Sequence, residues 1–246
     1  MGTNNLQIIY SAENNDREKV HWVWESEAKA MQAVGMSVAL IPNTESRMLL
    51  FRGNRSDIYE YYKKDNRYIN EYRHVIEYSR MSHYFQNIAD ISIETFFVDD
   101  LNDKTIELIK KRGWQKAFIK KDVKSLEHID DGKSIWPKTS LEEMNRLYNE
   151  FQEDGKFAIR KFIEKEIFCQ EERYWVMNGN LYHRHNKIPE LVKEAAKRLN
   201  KLGSRYYTID ATPEFVVEVN PGESSDRHAV NSAELFASWI KKEFAT

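Results

Sequence analysis

The chain reads as α+β, with a small α/β unit ahead of a strand-rich remainder, and three observations lead there. Short apolar runs alternate with helical spacing through the first third. From residue 157 the pattern turns mainly to strands, and no internal repeat or low-complexity linker interrupts either part.

Residues 6–10 are apolar enough for a buried strand and residues 25–34 carry helical spacing. Residues 37–42 and 48–51 read as two more strands, so the leading unit is expected to hold a mainly parallel sheet. Helices are expected over 55–67 and 74–89. A strand over 91–98 then leads to a helix over 102–111, with Asn102 or Asp103 as cap and Gly113 beyond its end. A short strand over 117–120 follows, and Asp130-Asp131-Gly132 marks a turn. The helix over 140–152 opens with Ser140 three residues before Glu143, the spacing of a capping box.

Strands are expected over 157–163, 173–177 and 181–184, the last two joined by Asn178-Gly179, the strongest short-range hairpin signal in the chain. Pro189 starts a helix that Gly203 ends. Strands over 206–209 and 215–219 and an amphipathic helix over 230–244 complete the chain. The boundary between the two parts falls within 83–92, giving expected domains of 1–85 and 86–246.

The 246 residues are enough for one large domain or two small ones. A net charge of −2 gives no broad attraction to nucleic acid or acidic lipid, although 37 Lys and Arg against 39 Asp and Glu leave room for a local basic groove. The single Cys169 excludes an internal disulfide and cysteine-rich zinc sites, and its neighbours Gln170 and Glu171 offer nothing to activate a thiol. No stretch approaches the roughly 20 apolar residues of a bilayer span, and the first ten residues lack the regions of a signal peptide. The expected location is the cytoplasm.

The stretch EFVVEVNPGESSD carries the sharpest question. Alternation in a strand puts Val216, Glu218 and Asn220 on one face and Phe215, Val217 and Val219 on the other. The polar pair is either the solvent side of an edge strand or two oxygen ligands for a hard cation such as magnesium. Basic residues in strands extend the second reading. Phe118-Ile119-Lys120-Lys121-Asp122-Val123-Lys124-Ser125 sets lysines at the end of an apolar run, Arg160 interrupts another, and Arg173 begins a third. An arginine inside a strand wants a carboxylate or phosphate. Together these cations can hold a triphosphate, while Asp210, Glu218 and Asn220 can hold its magnesium.

Other signals are weaker. Asp130-Asp131-Gly132-Lys133-Ser134 ends like a P-loop, but Glu127 stands where that motif needs its first glycine. His183 and His185 share a strand face, yet no cysteine or third nearby ligand completes a transition-metal set, so hydrogen-bonding or phosphate-contacting roles suit them better.

The order of motifs resembles the ATP-grasp superfamily, and within it the short R-two-K clade proteins of bacteria and phages. The resemblance rests on Phe51-Arg52-Gly53, the 118–125 lysine segment, Ile159-Arg160-Lys161-Phe162-Ile163-Glu164 and Glu171-Glu172-Arg173-Tyr174-Trp175-Val176. It continues through Ile209-Asp210-Ala211 and Val217-Glu218-Val219-Asn220-Pro221-Gly222.

It implies two α+β subdomains enclosing ATP, preceded by a small α/β domain that supplies part of the acceptor site. Lys120 and Lys124 match phosphate-contacting lysines, with Arg160 among the nucleotide-binding residues. Lys161, Phe162 and Ile163 match a hinge that reads adenine, and Glu164 falls at the ribose position. Asp210, Glu218 and Asn220 match the Mg2+ ligands. Arg173 is implied at the transferring phosphate and Arg52 at the acceptor carboxylate or γ-phosphate. The implied activity is ATP- and Mg2+-dependent carboxylate–amine ligation through an acyl phosphate, with a peptide or protein carboxylate as the acceptor suggested by the clade. The alternative is a non-catalytic module of the same fold that senses ATP, and the intact Asp210, Glu218 and Asn220 set favours the enzyme. A nucleic-acid reading of the 110–124 basic run is weaker, because the run is interrupted and has no aromatic stacking platform.

Overall fold

A computed structural model describes residues 6–13, 16–53, 55–63, 65–122, 133–150, 155–185, 187–227 and 231–245. In chain order the strands are β1 (Leu6–Tyr10), β2 (Ala12–Glu13), β3 (Asp16–Val20), β4 (Ser37–Ala39), β5 (Met48–Arg52), β6 (Thr95–Val98) and β7 (Ala117–Lys121), then β8 (Ile135–Trp136), β9 (Phe157–Lys161), β10 (Glu172–Met177), β11 (Asn180–Tyr182), β12 (Tyr206–Ala211) and β13 (Val216–Pro221). The helices are α1 (Glu25–Ala33), α2 (Arg55–Tyr62), α3 (Tyr72–Ser79), α4 (Met81–Tyr84), α5 (Asp103–Lys111), α6 (Leu141–Glu150), α7 (Lys165–Phe168), α8 (Glu190–Leu199) and α9 (Ala233–Phe244). The α+β expectation holds. The elements form two compact units, Met1–Ile76 with Arg173–Ile209 and Val219–Thr246, and Glu77–Glu172 with Asp210–Glu218. Neither unit is one continuous stretch of the chain.

In the first unit, β1 lies between β4 and β5 with both pairings parallel, as the early alternation of strands and helices predicts. A second sheet has the order β11-β10-β12-β13. Leu6, Ile8 and Tyr10 share a core with Trp24, Met31, Trp175, Tyr206, Phe236 and Ile240. The β10–β11 turn is the expected one, with Asn178 and Gly179 both at positive φ, 49° and 81°.

The second unit is built on an antiparallel sheet of order β6-β9-β7-β8. Alternation sends Ala117 and Ile119 of β7 and Phe157 and Ile159 of β9 into a core with Ile109, Met144, Leu147 and Tyr148 from α5 and α6. The opposite face carries Phe118, Lys120, Ala158 and Arg160, since Phe118 pairs with Arg160 and Lys120 with Ala158. Asn102 caps α5 by accepting the Lys104 N–H, and Ser140 caps α6 by accepting the Glu143 N–H. The carboxylate of Glu143 turns instead to Arg146 at 2.7 Å. The single helix expected over 74–89 is broken at Arg80, which is extended (φ −118°, ψ 115°). Asp122, far along the chain, accepts the Met81 N–H on its carbonyl and the Ser82 N–H on its carboxylate, starting α4 afresh. The β2–β3 pair carries too few apolar residues, and β8 is too short, to be read from sequence.

Candidate functional site

Strand β13 ends its sheet, as a solvent-facing edge strand would. Within the second unit, however, its outer edge is covered. Ser92 bridges Val216, the Ile93 N–H donates to the Val216 carbonyl at 3.4 Å, and Arg160 Nη2 donates to the Val217 carbonyl at 2.6 Å. Glu218 is 29% exposed and Lys120 only 9%, and Lys120 Nζ lies 2.7 Å from Glu218 Oε2. The carboxylate that looked out of place in an apolar strand therefore faces a buried ammonium.

Arg160 adds a second cation to the same face. It is buried, its Nε has no hydrogen-bond partner, and burial pushes its pKa below the ordinary arginine value while Tyr84 and Glu218 act against that shift. An unpartnered guanidinium nitrogen in such a place suits an incoming anion. On the sheet that contains β13, Asp210 is buried on β12, and the turn between the two strands is closed by the Thr212 N–H to the Phe215 carbonyl at 3.0 Å. Asp210 and Glu218 carry hard oxygens of the kind Mg2+ takes, and Asn220, half-buried, lies two residues past Glu218 along β13. Among the described residues, no three or more His, Cys, Asp or Glu side chains gather to hold a metal.

The remaining expected residues lie as follows. Lys161 is exposed at the end of β9, and Phe162 and Ile163 are half-buried beyond it. Glu164 is exposed and meets Lys116 at 3.3 Å, while Lys116 Nζ lies 5.0 Å from the centre of the Phe162 ring. Arg173 Nη1 donates to Asp226 Oδ1 at 2.8 Å and to the Asp226 carbonyl at 3.0 Å, inside the first unit. Lys124 and the Asp130-Asp131-Gly132 turn lie outside the described residues. His183 is buried, stacks on Tyr174 with ring centroids 4.6 Å apart, and its Nδ1 accepts the His185 N–H at 3.3 Å.

Arg52 is the departure. Expected at the acceptor carboxylate or γ-phosphate, it is fully buried in the first unit. Its Nε and Nη2 donate to the two carboxylate oxygens of Glu27 at 2.7 and 2.8 Å, and its Nη1 donates to the carbonyls of Gly222 and Ser225. Trp24, Trp175 and Phe236 lie within 5.1 Å of the guanidinium carbon. Burial opposes the charge, and Glu27 more than offsets it, holding the pKa above the ordinary value. Four of the five N–H donors are used inside the fold. Arg52 thus pins the Pro221–Ser225 turn from inside the first unit.

Glu27 and Glu223 are residues the sequence did not single out. Glu223 Oε1 accepts from Tyr62 Oη at 2.7 Å and Asn70 Nδ2 at 2.8 Å, and Oε2 is buried without a partner. Burial pushes its pKa up to about 7 against the lowering effect of those two donors. Glu27 had only its place on an apolar helix face as a signal, and Glu223 only its place after Pro221-Gly222.

Solved structures share this fold. The chain is similar to D-cycloserine synthetase DcsG, at 14% identity and a TM-score of 0.67 over 97% of this chain and 99% of that one. It is similar to a RimK domain ATP-grasp protein from Sphaerobacter thermophilus, at 13% identity and 0.60 over 95% and 98%. It is also similar to macrocyclase MdnC bound with precursor peptide MdnA from Microcystis aeruginosa, at 14% and 0.59 over 96% and 99%. Comparison with curated protein sequences found no match. The family model of the ATP-grasp domain, R-two-K clade family 3, matches residues 54–239, about three-quarters of the chain. This protein belongs to that ATP-grasp family.

Proposed function

We propose that the protein is an ATP- and Mg2+-dependent carboxylate–amine ligase that works through an acyl phosphate. The observation that carries this is the face of the second unit, where buried Lys120 meets Glu218 of β13 and buried Arg160 donates to the Val217 carbonyl beside it. Cations withdrawn from water beside hard-oxygen donors suit polyphosphate with its metal better than a neutral ligand.

In the first step a substrate carboxylate oxygen bonds to the γ-phosphorus, and the bond from that phosphorus to the bridging oxygen breaks, releasing ADP. In the second, an amine nitrogen attacks the acyl carbon, phosphate leaves, and the nitrogen loses its extra proton. Lys120 and Arg160 hold phosphate oxygens, Lys161 to Ile163 line the base, Glu164 takes the ribose, and Arg173 faces the phosphoryl group in transfer. Asp210, Glu218 and Asn220 would hold Mg2+, which supplies charge neutralisation to the phosphates. The protein contributes position and charge rather than a nucleophile.

A peptide or protein carboxylate is the proposed acceptor class. Support comes from structural neighbours solved with precursor peptides bound, the macrocyclase MdnC and the ATP-grasp ligase PsnB. The test is trapping with hydroxylamine in the presence of ATP, Mg2+ and candidate carboxylates. A hydroxamate that needs all three components supports ligation. Tight nucleotide binding without any hydroxamate across peptide and small-molecule carboxylates would favour the ATP-sensing module.

A further inference from the structure

The 2.7 Å contact between Lys120 and Glu218 joins two groups to which the proposed function gives different partners. Lys120 is to meet phosphate and Glu218 a divalent cation. Resting on that reading, we infer that Lys120 is an exchangeable counter-ion that occupies the cation position of Glu218 until metal and nucleotide arrive together.

The physical reason is charge accounting in a largely dry place. Lys120 is buried on β7, and Arg160, also buried, lies on the paired strand two residues out of register with it. A divalent ion arriving alone at Glu218 meets two fixed cations and takes away the carboxylate that pairs with Lys120. A buried ammonium left without its carboxylate is strongly disfavoured. A nucleotide arriving alone draws Lys120 to its phosphates and leaves the Glu218 carboxylate facing further negative charge. Arrival of both replaces one ion pair by two, Lys120 with phosphate and Glu218 with metal, and strands neither group. The pair therefore acts as a lock against metal alone, and the lysine has a second role besides its contact with phosphate.

The test is binding of Mn2+ alone, followed by its electron paramagnetic resonance signal, in wild type, Lys120→Met and Lys120→Arg. The expected result is weak binding in wild type and Lys120→Arg. Lys120→Met should bind at least about tenfold more tightly, the order expected from removing one positive charge a few ångströms from a partly buried carboxylate. Adding Glu218→Gln to Lys120→Met should abolish the gain. Lys120→Gln repeats the measurement if the methionine variant does not fold. Unchanged Mn2+ affinity in Lys120→Met or Lys120→Gln, with wild type still binding nucleotide and Mg2+ together by calorimetry, overturns the lock and leaves the proposed function standing. Wild type that binds no nucleotide even with metal overturns the proposed function and the inference with it.

Discussion

Glu27 accepts Nε and Nη2 along one edge of the Arg52 guanidinium at 2.7 and 2.8 Å in a place neither side chain shares with solvent. The pair is framed by tryptophan rings and extended by two carbonyls of the turn that follows β13. A charged pair this deep gains specificity of geometry more surely than stability, since both ions have been withdrawn from water.

Removing one partner should therefore cost more than removing both. Arg52→Met strands the Glu27 carboxylate and is expected to destabilise the fold by about 3–5 kcal/mol, with Arg52→Met combined with Glu27→Leu less damaging than the single change. Urea unfolding of wild type and the two variants measures this. Equal or larger loss in the double variant would remove the argument that charge burial, rather than packing, dominates.

Glu223 makes stability depend on pH. Its folded pKa of about 7 lies above the unfolded value near 4.5, so the folded state binds the extra proton between those limits. Its contribution is fully present below the unfolded pKa and is lost as pH rises through the folded pKa. The whole change is about 3 kcal/mol, with stability falling between about pH 4.5 and 7. Glu223→Gln keeps an acceptor for Tyr62 and Asn70 and should flatten the curve over that window, as thermal unfolding at a series of pH values will show.

Gly222 admits no side chain. A Cβ built there stands 2.6 Å from two ring carbons of Tyr206, whose ring stacks on Trp175. Gly222→Ala should cost about 1–3 kcal/mol through displacement of that ring. An unfolding midpoint equal to wild type would mean the turn shifts freely, against the four-way hold of Arg52.

Glu218→Gln and Asp210→Asn should each remove ATP turnover while retaining a cooperative unfolding transition. Near-wild-type ATP consumption by either variant would sink the metal assignment. Arg173→Met should reduce kcat more than it weakens nucleotide binding, because its proposed partner is the phosphoryl group in transfer. A fall in nucleotide affinity with kcat unchanged would place Arg173 in binding instead.

Thermal stability with ATP, with Mg2+ and with both separates binding from chemistry. A ligand at about a hundred times its Kd adds roughly 2.7 kcal/mol to folding. The pair is expected to raise the midpoint beyond either alone, and no shift at millimolar nucleotide would count against the site as a whole.

The sequence alone determined what depends on near neighbours along the chain. The Asn178-Gly179 turn, the Asn102 and Ser140 caps, the Gly203 stop and the alternation through 216–220 all followed from backbone preferences within a few residues. The order of motifs also pointed to the fold, and the family match agrees with it. Tertiary structure decided which charges meet. Glu27 and Arg52 are 25 residues apart, Lys120 and Glu218 are 98, and Arg52 and Ser225 are 173. Arg52 and Lys120 look alike on the page, each a cation at the end of an apolar strand. One is enclosed by rings and a carboxylate, and the other meets Glu218 of β13. The cost of burying a charge depends on every group around it, and those groups come together only through the long-range pairing of strands.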